Sequence, residues 1–450
     1  MADSRLVISV SGIRGIAFDP LSPDVCCRFA AALATILGQG TYVVGRDTRL
    51  SGEMLESAVI SGLGATGSRV VDLGVATTPT IQLAVEHHRA QGGIAITASH
   101  NPAEWNALKL ISRAGTFLEK PDVDRVIDVF NSGKLAYSAF DRAGRLERDP
   151  EAGQRHLEQV LRLGYLDLPG LRSRQLRVAI DCVNGAASIV IPDLVRRLGC
   201  QLSALSCEPT GIFGRNPEPL AQNLAGLSDL VRRERADLGL AFDPDGDRLA
   251  IVDDRGEAIG EDLTLAISAD LVLTHRPGPV VTNLSTSMVV EDVAKRHGVP
   301  CYRSPIGEIN VVSKMKQVGS PIGGEGNGGV ILPEIHYGRD ALVGTALVLQ
   351  AVAASGTRLS QMMVKYPKYV IVKEKVSSGS EPGSQEFADR VRGLFPGSQL
   401  NLDDGLRVDL GGRWLHIRRS GTEPVIRLIA EAAGIDEARA LIAKGRSLLD

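Results

Sequence analysis

Two short segments of the chain carry side chains that could together transfer a phosphoryl group. Residues 96–102 (Ile-Thr-Ala-Ser-His-Asn-Pro) place the hydroxyl of Ser99 at a predicted turn. Residues 242–248 (Phe-Asp-Pro-Asp-Gly-Asp-Arg) place three aspartates at two-residue spacing, namely Asp243, Asp245 and Asp247. A serine hydroxyl can accept a phosphoryl group, and a cluster of carboxylates can hold a divalent cation. The rest of the chain must then hold a substrate beside them.

The serine lies in a loop of the kind that binds ligands. It follows an apolar, β-branched run, and Pro102 keeps Asn101 out of the helical region. In parallel α/β units, the loops after the carboxyl ends of strands bind ligands. Taken alone, Ser99 is more typical of a turn that caps a helix, because a bare hydroxyl needs activation to act as a nucleophile. The nearby cation Lys109 favours the catalytic interpretation.

The three aspartates predict a metal site. In an extended chain, alternate residues share one side, so these carboxylates can converge. They would repel one another, and one would take up a proton unless a cation neutralised them. Hard oxygen ligands of this kind suit Mg²⁺. An EF-hand loop is excluded, because the required glycine and glutamate positions hold Arg248 and Asp254.

Two more loops carry groups that could bind a phosphorylated sugar. Residues 323–329 match a dinucleotide-binding glycine pattern, but the strand-like run that follows excludes that function. The loop presents Glu325 and Asn327, which could bind sugar hydroxyls, although a structural turn explains it equally well. A later loop combines guanidinium groups, hydroxyls and a glycine, which suit a phosphate. Its residues are Arg418, Ser420, Gly421, Thr422 and Arg427. The arginine-bearing turns at 11–15 and 45–49 could line the same cleft.

Composition limits the class of protein. A chain of 450 residues is too long for one hydrophobic core, so several domains are predicted. A hydrophobic content of 44% with 23% charged residues is typical of a soluble globular protein. The net charge of -3 gives no general attraction to nucleic acid or membranes, and no run approaches the ~20 apolar residues of a membrane span. Six cysteines without metal-ligand spacing indicate reduced thiols and a cytoplasmic location.

Alternating strand and helix patterns predict an α/β fold with parallel strand pairing. In the first unit, strands are expected over 41–44, 70–73 and 93–97, with helices over 51–62 and 80–88. The pattern restarts near residues 176 and 280, and the last ~80 residues differ, as alternating strands with a closing helix from Asp436. We expect four domains: 1–150 with the serine loop, 151–257 with the aspartate loop, 258–367 with the glycine-rich loop, and 368–450 with the arginine loop.

Together these motifs resemble the α-D-phosphohexomutase family, which contains phosphoglucomutases, phosphomannomutases and phosphoglucosamine mutases. The resemblance spans nearly the whole chain and keeps the order of the four loops. It implies four domains around a central cleft, three of them related mixed-sheet α/β domains and the fourth a C-terminal α+β domain. It also implies that phosphorylated Ser99 donates to a hexose monophosphate. A bisphosphorylated hexose would be intermediate and activator, and one Mg²⁺ would lie between Ser99 and the three aspartates.

The resemblance also implies roles for single residues. Lys109 and Arg14 become candidates for proton transfer or charge stabilisation, and His100 joins this catalytic group. Arg248 would lie alongside and contact substrate. Glu325 and Asn327 would hold sugar hydroxyls. The distal phosphate would be held by Arg418, Ser420, Gly421, Thr422 and Arg427.

The glycine-rich loop departs from the commonest bacterial pattern, Gly-Glu-x-Ser-Gly-His. Asn327 and Gly329 stand where that pattern has serine and histidine, so any role of the histidine is unassigned here. His336 is a candidate to compensate. This loop and residues 104–109 look most like sequences of phosphoglucosamine mutases. We therefore expect conversion of glucosamine 6-phosphate to glucosamine 1-phosphate, with glucose and mannose phosphates as the alternative substrates.

Two rival functions explain fewer of the motifs. A Mg²⁺-dependent sugar-phosphate phosphatase with Asp243 as nucleophile would leave Ser99 and the arginine loop without a purpose. A sugar-phosphate-binding protein without chemistry would need neither the serine nor the three aspartates. The expected partners are small-molecule sugar phosphates, with no nucleic acid or membrane, and the expected assembly is a monomer or homodimer.

Overall fold

A computed structural model describes residues 6–9, 12–377, 382–420 and 425–449. Over these residues the chain forms four separate β-sheets flanked by helices. None of the described helices alone has the length and apolar character needed to cross a membrane, and one bent pair, Ala341–Ser355 with Leu359–Lys365, meets that test only when its two members are combined.

The first sheet has seven strands in the order β1-β2-β6-β5-β3-β4-β7. Its elements are β1 (Val7–Ser9), β2 (Gly12–Ile16), α1 (Pro23–Leu37), β3 (Thr41–Arg46), α2 (Gly52–Ala65), β4 (Arg69–Val75), α3 (Thr78–His87), β5 (Gly92–Ile96), β6 (Trp105–Ser112), α4 (Lys120–Ser132) and β7 (Leu146–Arg148). The expected parallel pairing is present where β3 pairs with β4 and β5. Strand β6 pairs antiparallel with β5, so the sheet is mixed, as expected for this domain. The connection over 97–104 is too short for a crossover helix, so the chain must turn back as a hairpin.

The second sheet has four strands in the order β11-β10-β8-β9. Its elements are α5 (Ala152–Leu161), α6 (Leu168–Arg174), β8 (Arg177–Asp181), α7 (Ile191–Arg197), β9 (Gln201–Leu205), α8 (Ala225–Glu234), β10 (Leu238–Phe242) and β11 (Leu249–Val252). Strand β8 pairs parallel with β9 and β10, whereas β10 and β11 form an antiparallel hairpin.

The third sheet repeats this plan in the order β13-β12-β14-β15. Its elements are α9 (Asp262–His275), β12 (Val280–Asn283), α10 (Val289–Arg296), β13 (Cys301–Ser304), α11 (Glu308–Val318), β14 (Ile322–Glu325), β15 (Gly329–Ile331), α12 (Ala341–Ser355) and α13 (Leu359–Met362). Its parallel strands again end in an antiparallel hairpin, β14–β15. The second and third sheets share one apolar core, which includes Leu240 and Ile322. Helix α12 is apolar on all sides because this core surrounds it.

The fourth sheet is antiparallel throughout, in the order β16-β20-β19-β18-β17. Its elements are β16 (Val370–Val376), α14 (Gln385–Leu394), β17 (Gln399–Asn401), β18 (Leu406–Asp409), β19 (Trp414–Arg419), β20 (Ile426–Ala432) and α15 (Ile435–Ser447). The closing helix begins one residue before the expected Asp436.

One construction recurs at the position of every predicted functional loop. The serine loop joins β5 to β6, the aspartate loop joins β10 to β11, and the glycine-rich loop joins β14 to β15. Each follows the carboxyl end of a strand that has a parallel neighbour, and each closes an antiparallel hairpin. The arginine loop likewise joins the antiparallel pair β19 and β20. The fold therefore places the four predicted functional loops on hairpin connections.

Candidate active site

Ser99 contacts the aspartate loop directly. Its Oγ donates a hydrogen bond to Asp243 Oδ2 at 2.8 Å and lies 3.3 Å from His100 Nδ1. Its backbone is left-handed, with φ 49°, which costs a non-glycine residue of the order of 1 kcal/mol or more. The side chain is nevertheless only 3% exposed. The serine and the aspartates, 144 residues apart in sequence, thus share one site.

A buried arginine holds the serine loop in this conformation. Arg49 Nη2 donates to the carbonyls of Ser99 at 2.6 Å and Asn101 at 2.7 Å, and its Nη1 donates to that of Pro102 at 2.5 Å. Its Nε donates to Asp47 Oδ2 at 3.0 Å, and the same oxygen accepts from Thr97. The turn at 45–49 was predicted only to line the cleft. Its anchoring role was missed, although β3 and β5 are parallel neighbours whose carboxyl ends meet.

The three aspartates converge, but by a different route from the one expected. The segment is a turn, not an extended strand, because Pro244 and the left-handed Gly246 (φ 67°) bend it. Asp243 Oδ1 accepts from the backbone N–H groups of Asp247 at 3.2 Å and Arg248 at 3.1 Å. One oxygen from each aspartate lies within 4.8 Å of the others, and all three residues are buried. Burial and the charges of Asp247 and Asp245 raise the pKa of Asp243 well above its ordinary value.

Hydrogen-bond donors reach only some of the oxygen atoms in this carboxylate cluster. Lys109 Nζ lies 2.6 Å from Asp245 Oδ2 and 4.0 Å from Asp247 Oδ2. Burial pushes the pKa of Asp245 upward, but Lys109 and a hydrogen bond from Thr78 hold it below its ordinary value. Asp245 Oδ1 and Asp247 Oδ1 are buried with no hydrogen-bond partner. Buried carboxylate oxygens without donors are the ligand set that a hard divalent cation such as Mg²⁺ needs.

Further positive charge surrounds the serine. Arg14 Nη1 donates to Asn101 Oδ1 at 2.7 Å, and Arg248 Nε lies 3.6 Å from Asp247 Oδ1. The charges of both arginines act on His100. Burial, followed by the charges of Arg248 and Arg14, lowers the pKa of its imidazole well below the ordinary value, so the ring is neutral at pH 7. The site can therefore receive an anionic group beside a neutral imidazole.

The glycine-rich segment is a tight hairpin, with Glu325 opposite Gly329. Glu325 Oε1 accepts from Asn283 Nδ2 at 2.8 Å and from the Gly307 N–H at 3.1 Å, and Oε2 pairs with Arg339. Burial pushes the pKa of Glu325 upward, but Arg339 and Asn283 bring it below its ordinary value. Asn327 Nδ2 is a weaker partner, 3.4 Å from Glu325 Oε2. The carboxylate is thus ionised and held in place.

His336 belongs to a neighbouring buried cluster. Its Nε2 lies 3.1 Å from Asp340 Oδ2, and His156 Nε2 lies 2.8 Å from the same oxygen. Asp340 also caps α12 by accepting from two of its first backbone N–H groups. No hydrogen bond joins His336 to Glu325 or Asn327 within the described part of the chain. That histidine therefore supports the start of α12.

The arginine loop reaches the glycine-rich hairpin through a residue that the sequence did not single out, Asp404. Arg418 Nε donates to both Asp404 oxygens, at 3.1 and 3.0 Å, and Arg418 lies opposite Arg427 on β19 and β20. Asp404 Oδ2 also accepts from the Ile306 N–H at 3.0 Å. Ile306 and Gly307 are consecutive, so adjacent backbone donors fix Asp404 and Glu325. Ser420 N–H donates to the Val425 carbonyl at 2.9 Å, whereas Gly421 and Thr422 lie outside the described residues.

Known proteins match this chain along nearly all of its length. Profiles of the phosphoglucomutase/phosphomannomutase α/β/α domains I, II and III match residues 5–136, 154–256 and 260–369, and the C-terminal domain profile matches 397–445. A phosphoglucomutase/phosphomannomutase of Thermococcus kodakarensis is 37% identical over 448 residues, covering 98% of this chain and 97% of the relative. A probable phosphoglucosamine mutase of Methanopyrus kandleri is 37% identical over 436 residues, covering 96% and 95%. An X-ray structure of a phosphoglucomutase/phosphomannomutase family protein from Burkholderia thailandensis gives a TM-score of 0.85 at 26% identity, covering 98% of both chains.

Proposed function

The chain belongs to the phosphoglucomutase/phosphomannomutase family and is a phosphohexomutase, and we propose that it acts through a phosphoserine at position 99. In the first half-reaction, a hydroxyl oxygen of a hexose monophosphate attacks the phosphorus of phosphorylated Ser99. The bond from phosphorus to Ser99 Oγ breaks, and a bisphosphorylated hexose forms. The intermediate reorients in the cleft, and Ser99 Oγ attacks the phosphorus of its other phosphate. The bond from that phosphorus to the hexose oxygen breaks, which restores phosphorylated Ser99. The two half-reactions together interconvert hexose 6-phosphate and hexose 1-phosphate.

One observation carries this proposal: Ser99 Oγ donates to Asp243 at 2.8 Å, at the edge of a buried three-aspartate cluster. Phosphoryl transfer depends mainly on position and charge neutralisation. One Mg²⁺ held by Asp243, Asp245 and Asp247 would supply the positive charge that the transferring group needs. Arg14 and Arg248 add positive charge around the serine.

Proton transfer must accompany each half-reaction, because the attacking hydroxyl loses a proton and the released serine regains one. Three side chains stand close enough to take part. Lys109 Nζ lies 2.6 Å from Asp245, His100 Nδ1 lies 3.3 Å from Ser99 Oγ, and Arg14 is joined to Asn101 of the same loop. We assign proton transfer or charge stabilisation to Lys109 and Arg14, with the neutral His100 beside the nucleophile.

The hexose would bind between the glycine-rich hairpin and the arginine loop. Both oxygens of Glu325 already accept hydrogen bonds, and the 3.4 Å contact from Asn327 is the longest of them. A sugar hydroxyl can therefore replace Asn327 at Glu325 and use the freed amide as a second partner. Arg418, Ser420 and Arg427, with Gly421 and Thr422, would hold the distal phosphate.

We propose glucosamine 6-phosphate and glucosamine 1-phosphate as the preferred pair, with glucose and mannose phosphates as alternatives. The two relatives at 37% identity carry both kinds of name. The discriminating measurement is kcat/KM for the three hexose phosphates, each primed with its bisphosphorylated hexose. Accumulation of free phosphate instead of isomer would favour a phosphatase. The monomer or homodimer state and the cytoplasmic location stay predictions.

Ser99→Ala tests the nucleophile. The variant should lose at least about 10³-fold in kcat, because no covalent intermediate can form. Intact mass spectrometry should find one added phosphoryl group on the wild type, after incubation with a bisphosphorylated hexose, and none on the variant. Ser112→Ala is the matched control, since the Ser112 hydroxyl bonds to Thr116 and the Ala114 N–H within its own turn. A phosphoryl adduct or wild-type turnover in Ser99→Ala would contradict the assignment.

A further inference from the structure

Arg339 is a buried arginine that no sequence motif identified. It lies between the β14–β15 hairpin and α12, and it is 8% exposed. Its guanidinium faces carboxylates from three different segments. Nη2 donates to Asp247 Oδ2 at 2.6 Å, Nη1 pairs with Glu325 Oε2, and Nε lies 3.1 Å from Glu308 Oε2. One side chain therefore joins the aspartate loop to the glycine-rich hairpin.

The space for this side chain comes from Gly329. A Cβ atom at position 329 would lie 2.3 Å from Arg339 Cδ and 2.8 Å from Arg339 Cγ, which is closer than carbon atoms can approach. Gly329 lies in β15 and does not have a left-handed φ, so its backbone would accept other residues. Glycine is required there because the stem of Arg339 crosses it.

We propose that Arg339 is a positioning residue, which fixes Asp247 and Glu325 at one separation and which requires glycine at 329 to reach them. The proposal rests on the proposed function only in naming these loops the metal and sugar sites. The planar guanidinium can bind two carboxylates at once in a fixed geometry, which a lysine ammonium cannot. Asp247 Oδ2 is committed to Arg339, while its Oδ1 has no hydrogen-bond partner. Arg339 thus selects which oxygen of Asp247 remains for a cation.

The same contact reaches the first sheet. Glu308 Oε1 accepts from Gln82 Nε2 of α3 at 3.2 Å, and Glu308 Oε2 accepts from the Arg339 N–H at 3.3 Å. A connected path therefore runs from α3 through Glu308 and Arg339 to the aspartate loop. The guanidinium is therefore placed to fix the relative positions of segments from all three α/β domains at the cleft.

Arg339→Lys separates charge from geometry, because it keeps the cation and removes the two-armed contact. Groups that orient a metal ligand typically change metal affinity about 10- to 100-fold, so the Kd for Mg²⁺ should rise by about 10-fold or more. Isothermal titration calorimetry with Mg²⁺ alone measures this without turnover. Turnover should show a higher KM for hexose phosphate and a lower kcat. Arg407→Lys is the control, since Arg407 is also buried but pairs with Asp409, and the Mg²⁺ affinity of this variant should match the wild type.

Gly329→Ala tests the same proposal without touching a charged group. It should displace Arg339 and weaken Mg²⁺ binding in the same direction as Arg339→Lys. In an Arg339→Ala background the collision with the Arg339 stem is gone, and the remaining close side-chain atom is Asn327 Oδ1 at 3.1 Å. Adding Gly329→Ala should therefore change Mg²⁺ affinity less than about two-fold.

Mg²⁺ affinity within two-fold of the wild type in both Gly329→Ala and a folded Arg339→Lys would overturn the proposal. If Arg339→Lys does not fold, Gly329→Ala decides alone. Equal losses from Gly329→Ala with and without Arg339 would also overturn it. These calorimetric results do not depend on mutase turnover. Failure of the proposed function would instead appear as a wild-type protein that binds Mg²⁺ but takes no phosphoryl group onto Ser99.

Discussion

His416 gives the C-terminal sheet a pH dependence that can be calculated. It is buried on β19, with Nε2 2.7 Å from the Asp404 carbonyl and Nδ1 2.8 Å from Ser285 Oγ. The carbonyl can only accept, so Nε2 carries the proton and Nδ1 accepts from the serine. Burial lowers the pKa of His416 to about 4, and the charge of Arg418 acts in the same direction. Replacement by glutamine removes the titration.

The sign and size follow from proton linkage. A histidine whose folded pKa lies below its unfolded value stabilises the fold fully above pH 6.5, and this contribution is lost as pH falls toward the folded pKa of about 4. At pH 5 the unfolded chain binds the proton and the folded chain does not. Between pH 7 and pH 5 the loss is about 2 kcal/mol, since one pKa unit corresponds to about 1.4 kcal/mol.

Tryptophan fluorescence provides the assay. Trp414 lies on the same strand and is fully buried, and the only other tryptophan is Trp105. In a Trp105→Phe background, denaturant unfolding followed at Trp414 reports the free energy of unfolding of the C-terminal sheet. Between pH 7 and pH 5 the parent should lose about 2 kcal/mol more than His416→Gln. His88→Gln, a change at the end of α3 in the first domain, is the control and should leave this difference unaltered.

Two outcomes of this comparison would contradict a lowered pKa for His416. If the parent and His416→Gln lose the same free energy between pH 7 and pH 5, then His416 does not stay neutral in the folded state. A larger loss in His416→Gln would show that the imidazole gains a proton on folding. Either result would remove burial as the cause of the lowered pKa.

Two further predictions concern the carboxylate cluster. Asp243→Asn should raise the Tm of the metal-free protein by several degrees, because burial beside Asp245 and Asp247 raises the pKa of the carboxyl group and the neutral amide removes this cost. It should also abolish the Mg²⁺-dependent shift in Tm. Calorimetry with and without chelator checks both, and a lower metal-free Tm would contradict the expectation. Lys109→Met should lower kcat by about 100-fold or more and should make Tm depend more steeply on Mg²⁺, because Asp245 loses the ammonium group that pairs with it. Steady-state kinetics and a Mg²⁺ titration of Tm check the two effects, and a wild-type kcat would contradict the prediction.

Local sequence signals predicted the elements of the fold better than their pairing. The apolar runs of β3, β4 and β5 are visible as strands, and all three lie close to the predicted residues. Strand β6 was not predicted from its own residues, and the short serine-loop connection turns it antiparallel to β5. Likewise, the convergence of Asp243, Asp245 and Asp247 was predicted, but the turn at Gly246 produces it.

The residues that support the site could not be predicted from local sequence patterns. Arg339 binds Asp247 across 92 residues, and Arg49 binds the Ser99 carbonyl across 50. Neither arginine belongs to a periodic pattern, and each partner is chosen by how the sheets pack. The departure at Gly329 was noticed from the sequence. Its reason, the stem of Arg339, became visible only in three dimensions.

The hydrogen bonds from Arg49 to the serine loop have a consequence for when Ser99 can be phosphorylated during folding. Three carbonyls around Ser99 depend on a guanidinium that the chain supplies fifty residues earlier, on a different strand connection. We therefore expect the left-handed shape of the loop to form only once β3 and β5 have come together. Under the proposed phosphoserine mechanism, phosphate incorporation at this serine would therefore report correct assembly of the first sheet. A newly made or refolding chain would acquire the label only after its first sheet had closed.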